Sequence, residues 1–170
     1  MRSLGILAVV SLAAVLAGAQ TQATSMRSRP SAAAGQPRAA KAPYAPGLGE
    51  VMSLQQMRHS KLWFAGSAAN WELAGYELDE LKEGFDDVLK LFPIHDGVRL
   101  APLVEVIEKA AIPDLAKTIV ARDQAKFAAA FDALSAACNG CHQSAKHGFI
   151  VIQRPTSLPY SNQSFAPASH

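Results

Sequence analysis

The stretch NWELAGYELDELKEGFDDVLKLFP, residues 70–93, decides the fold. Trp71, Ala74, Leu78, Leu81, Phe85, Val88 and Phe92 recur at alternating spacings of three and four, which puts them on one stripe of a long helix. Asn70 offers a side-chain oxygen to the first free N–H groups, and Pro93, which has no N–H, ends the run. The other face carries Glu72, Glu77, Asp79, Glu80, Glu83, Asp86 and Asp87 against Lys82 and Lys90. It reads as a solvated face or, more sharply, as a docking face for a basic redox partner.

The same pattern extends in both directions. A helix is predicted over roughly Leu48 to Gly66, with Met52, Gln56, His59, Leu62 and Trp63 along one stripe. After a loop at His95-Asp96-Gly97, a third helix is predicted over about Pro102 to Arg122, divided by Pro113 near Ile112. Asp123 caps a fourth, whose stripe is Phe127, Phe131, Leu134, Cys138 and Cys141. The small residues Ser135-Ala136-Ala137 leave room there for something bulky. Four amphipathic helices with short connections, and almost no strand pattern, predict an all-α chain folded as an antiparallel four-helix bundle over residues 48–147. In the tail, residues 148–170, Phe149 to Ile152 is too apolar for a free segment and is expected to lie back over the helices, extended.

The N-terminal end has a different character. Residues 1–19, MRSLGILAVVSLAAVLAGA, combine Arg2, an apolar stretch from Leu4 to Leu16 and the small-x-small triplet Ala17-Gly18-Ala19, the form of a cleavable signal peptide. The stretch is short of the roughly 20 residues a bilayer span needs, so no stable membrane insertion is expected after cleavage, and the protein is expected in the periplasm. Residues 20–47 are rich in Ala, Ser, Pro, Gln and Gly, with Arg27, Arg29, Arg38 and Lys41 and no acid before Glu50, and read as a flexible basic arm. Across the whole 170 residues, 49% apolar and 18% charged composition is that of a globular chain, and a net charge of +2 lacks the basic excess of a general nucleic-acid binder.

The chemistry is concentrated in Cys138-Asn139-Gly140-Cys141-His142, which is C-x-x-C-H, the c-type haem attachment motif. Two thiols three residues apart on one side of a helical turn can add to the two vinyl groups of a haem edge, and His142 then presents its imidazole to the iron as proximal ligand. A thioredoxin-like pair would need a βαβ context, and a structural zinc site would need four ligands where no second cysteine pair exists. The third alternative is a chance pair in a helix, against which stand the export signal and the presence of both cysteines in this motif. No Ser/His/Asp set, phosphate loop or paired metal-binding carboxylates stands out, so an enzyme is not expected. Trp63, Trp71, Phe127 and Phe131 read as core, with one or two of them available to pack on a porphyrin; His95 and His147 read as surface residues and His170 as part of a free end.

Haem attachment on the last of four helices resembles the class II c-type cytochromes, which include cytochrome c′ and its low-spin relatives. The resemblance covers about Leu48 to His147 and rests on CNGCH, the helix count and Lys146, four residues after the ligand. The stretches KLWFAG, NWELAGYELDEL and HGFIVIQRPTSLPYSNQSF are also similar to secreted bacterial haem proteins. The basic arm and the long segment after His142 depart from the class. The resemblance implies one covalent haem c, with the first helix setting its distal face. His59 is then the first candidate for the sixth ligand and Met52 the second, while Arg58 followed by Leu62 matches the arginine and apolar blocker of an open site. Function is accordingly expected to be one-electron transfer with a redox partner protein. Gas binding at an open iron, or service as a haem subunit on a larger enzyme, are the alternatives, and a homodimer is compatible with the class.

Overall fold

The computed structural model describes residues 44–168, so the predicted signal peptide, most of the predicted basic arm and His170 lie outside the described residues. Among the described residues the structure is mostly helical, with one minimal hairpin. Helix α1 spans Leu48–Ser67, α2 Trp71–Leu91, α3 Ala101–Val106, α4 Ile112–Ala121 and α5 Gln124–Ser144. The predicted caps are in place: the Asn70 side chain accepts from Leu73 N–H at 3.2 Å and Asp123 from Lys126 N–H at 3.0 Å.

The α2 stripe is the inner face that its spacing predicts. Ala74, Leu78, Leu81, Phe85 and Val88 are buried, and Trp71 and Phe92 pack against them half-buried. On α1 the inner face is rotated from the predicted stripe. Val51, Gln55, His59, Leu62 and Ala65 are buried, whereas Met52 is half-buried and Gln56 exposed. Gln55 takes an inner place because its amide donates to the Leu81 carbonyl at 2.8 Å, which satisfies the buried polar group. Glu77 is likewise not on the solvated face of α2. It is 2% exposed and lies 3.6 Å from Lys61 of α1.

Gln55–Leu81, Arg58–Glu80 and Lys61–Glu77 advance along α1 while receding along α2, so the two helices are antiparallel. The α1–α5 pairing is antiparallel too, through Gly66 under the Phe127 ring, Trp63 at 5.0 Å from Phe131, and His59 bonded to Ser135. A Cβ on Gly66 would lie 2.1 Å from Phe127, so only glycine admits this approach.

The predicted loop at His95 is a tight hairpin. Ile94–His95 pairs with Val98–Arg99 across Asp96 and Gly97, whose φ angles of 48° and 78° are those of a turn with both central residues left-handed. The third helical run is continuous where a break at Ile112 was predicted. Ile107–Ala111 forms a wider π turn, and the Ile112 N–H reaches back to the Ile107 carbonyl. Pro113 cannot donate and its ring crowds the carbonyl four residues back, so the helix widens there and continues.

The segment after α5 is extended over the helices, as its composition predicts, but Phe149 and Val151 are not what holds it. Phe149 is 80% exposed and Val151 70%. The anchors are polar: Asn139 makes two hydrogen bonds to the Ile152 backbone, of 2.7 and 2.8 Å, and Arg154 grips Asp132 through two nitrogens at 2.5 and 2.6 Å. Farther on, Phe165 is buried beside Phe64, with ring centroids 5.7 Å apart.

Candidate functional site

An apolar cavity of about 240 Å³ lies between α1, α2, the third helical run and the end of α5. Leu81, Phe85 and Val88 give it an apolar wall from α2. The five candidate residues of the sequence, Cys138, Cys141 and His142 on α5 and Met52 and His59 on α1, all line it.

Cys138 and Cys141 are free thiols. Burial, together with the neighbouring Cys141, pushes the Cys138 thiol up to about 12, and burial raises Cys141 as well. Both are therefore neutral at ordinary pH, the opposite of the depressed thiol that a dithiol oxidoreductase needs. Among the described residues, the only group of three His, Cys, Asp or Glu side chains whose donor atoms converge excludes both cysteines.

The Nδ1 of His142 lies 2.9 Å from the Ile150 carbonyl. A carbonyl only accepts, so Nδ1 carries the proton and Nε2 keeps its lone pair. This is the arrangement by which a backbone carbonyl orients a metal-ligating imidazole. The clamp of Asn139 on Ile152 sets the path of the segment that supplies that carbonyl. The sequence gives no sign of this service, because a backbone carbonyl has no signature.

On the opposite wall, His59 is 5% exposed and its Nε2 is 2.8 Å from Ser135 Oγ. Ser135 donates to the Phe131 carbonyl at 3.0 Å, so it accepts from His59, whose Nε2 carries the proton. Burial lowers the His59 pKa to about 4, and the ring is neutral. Ser135 is thus a partner for His59 rather than a spacer, and Ala136 faces solvent. Continued two turns beyond His59 and Ser135, the antiparallel register brings Met52 level with His142 across the cavity. Leu62 is fully buried and does not line the cavity, and Arg58 is bound to Glu80 at 3.1 Å.

Trp63, Trp71, Phe127 and Phe131 form a file of aromatic contacts beyond His59, away from the cavity. His95 and His147, read from the sequence as surface residues, are half-buried and line the cavity together, with ring centroids 5.6 Å apart. They lie more than fifty positions apart in the chain, and no local pattern links them. Among the described residues no helix is long and apolar enough to cross a membrane. The chain matches no family model, no curated protein and no solved structure.

Proposed function

We propose that this protein is an exported c-type cytochrome, an antiparallel four-helix bundle of class II type that carries one electron through a single covalent haem. The observation that carries this reading is the convergence of Cys138, Cys141 and His142 of the C-x-x-C-H motif on one apolar cavity, with the lone pair of His142 left free by its bond to Ile150. The donor set fits the group. Two neutral thiols suit addition to vinyl groups, and an oriented imidazole suits an axial position. When bound, haem supplies a ferric–ferrous couple.

The chain's own residues have separable tasks. Cys138 and Cys141 would tether the group, His142 would ligate it, and the Ile150 carbonyl fixes the orientation of that imidazole. The apolar α2 wall would limit the access of water to a haem bound in the cavity and so help to set its reduction potential. The binding of His59 to Ser135, and the level of Met52 with His142, move the sixth-ligand proposal from His59 to Met52. Gas binding is the second reading and follows if Met52 leaves the iron open. The exposed acids Asp79, Glu83, Asp86 and Asp87 of α2 offer a docking face for a basic redox partner in the periplasm.

The test is chemical and spectroscopic. The exported protein should keep its haem through denaturation and acid-acetone extraction, and Cys138→Ser with Cys141→Ser should release it; haem that extracts freely from the unmutated protein defeats the reading. Ferric and ferrous spectra with and without CO then locate the sixth ligand. Met52→Ala should turn a low-spin ferric spectrum high-spin, while His59→Gln should leave it unchanged.

A further inference from the structure

We propose that His95, Asp96 and His147 form a binding site for a borderline divalent transition ion, of which Zn²⁺ is the representative, at the cavity wall between the hairpin and the segment after α5. The donor atoms of the three side chains all lie within 4.8 Å of one another. His95 Nε2 is 3.7 Å from Asp96 Oδ2. A tetrahedral site with bonds of about 2.0–2.2 Å needs donors roughly 3.3–3.6 Å apart, so small side-chain shifts close the site.

Three features separate this cluster from a chance surface group. It joins two distant parts of the chain, since His95 and Asp96 come from the hairpin after α2 and His147 from the turn after α5. His147 Nδ1 donates to the Ala145 carbonyl at 2.8 Å, which leaves Nε2 as the ligand atom, the same outer-shell device seen at His142. The position of Asp96 is fixed by its left-handed φ of 48° in the hairpin turn, ahead of Gly97. Two imidazoles and one carboxylate suit a borderline ion better than calcium or magnesium, which prefer oxygen ligands throughout. The fourth position is left for water or another donor. Bound there, the ion links the hairpin to the segment that orients His142. The site does not depend on the haem reading.

Equilibrium dialysis of the metal-stripped full-length protein against Zn²⁺ tests the proposal. One ion per chain is expected. Asp96→Asn should weaken binding about tenfold or more, since asparagine keeps the left-handed turn while losing the charge. His95→Ala and His147→Ala should abolish the site. Unchanged affinity in Asp96→Asn and His95→Ala overturns the proposal. It is equally overturned if His95→Ala changes the spin state of the iron in metal-stripped, haem-loaded protein from low to high, because that imidazole then belongs to the iron.

Discussion

At the level of single residues, His59 carries the clearest energetic consequence. It is buried, neutral and bonded to Ser135, with a pKa lowered to about 4 by burial, whereas in the unfolded chain it titrates near 6.5. Between those values the unfolded state binds more protons than the folded one. Stability is therefore fully present above about pH 6.5 and declines as the pH falls toward 4, by about 3 kcal/mol from this residue. His59→Gln keeps an amide donor for Ser135 and removes the titration. Urea midpoints from pH 4 to 7 should show this part of the acid sensitivity flattened in the variant. The Lys61–Glu77 pair works by a different logic. Burial raises the Glu77 pKa although Lys61 opposes it, so the carboxylate depends on that neighbour. Lys61→Met should cost about 1–3 kcal/mol in equilibrium unfolding, and Glu77→Gln should cost less, because it leaves no buried charge alone. Of these features the sequence made His59 visible as a helical histidine facing inward. It could not show which partner would hold it, because Ser135 lies on another helix and its distance is a product of packing.

The helices end by a device that composition hides. At the ends of α1, α4 and α5 the same pair of hydrogen bonds recurs: Asn70 to Ala65 with Ala69 to Gly66, Asp123 to Thr118 with Arg122 to Ile119, and His147 to His142 with Lys146 to Gln143. In each case the residue between the cap and the return has a positive φ, 56° at Ala69, 54° at Arg122 and 66° at Lys146. Glycine is the usual occupant, since a left-handed L-residue costs about 1–2 kcal/mol. Ala69→Gly should therefore stabilise the protein, by about 1 kcal/mol after the added freedom of the unfolded chain, seen as a raised urea midpoint at unchanged slope. The starts of α2 and α5 were legible because Asn70 and Asp123 are strong N-caps, and the inner face of α2 because its apolar spacing is regular. Helix ends without glycine, and the widening at Ile107–Ala111, lacked such marks. The Asp96-Gly97 hairpin did carry one: Asp-Gly between Ile94-His95 and Val98-Arg99 is a turn pair, set in strands too short to show alternation.

Across the whole molecule, the segment after α5 joins the C-terminal stretch to the site. It passes from Ile150 at His142, through Ile152 at Asn139 and Arg154 at Asp132, to Phe165 beside Phe64, and Asn70 donates to the Ala166 carbonyl at 3.1 Å. Between these anchors its side chains are largely exposed, so it gains little from apolar burial of its own. The Arg154 guanidinium, 4.6 Å from the Trp63 ring, adds a cation–π contact to its ion pair in the middle of the path. Phe165 is the one fully apolar anchor, and its removal should loosen the segment without unfolding the helices. For Phe165→Ala, hydrogen exchange at the Ile152 amide, which donates to Asn139, should accelerate, while amides of the buried α2 stripe keep their protection. If both accelerate alike, the segment belongs to the global folding unit and its role at His142 is no more adjustable than the core. If Ile152 alone responds, the carbonyl that orients His142 sits on a separately opening strap. On the proposed haem reading, the same variant should then shift the reduction potential of the haem-loaded protein while leaving the helical content unchanged, because the hydrogen bond from His142 to Ile150 would link the strap to the proposed axial imidazole.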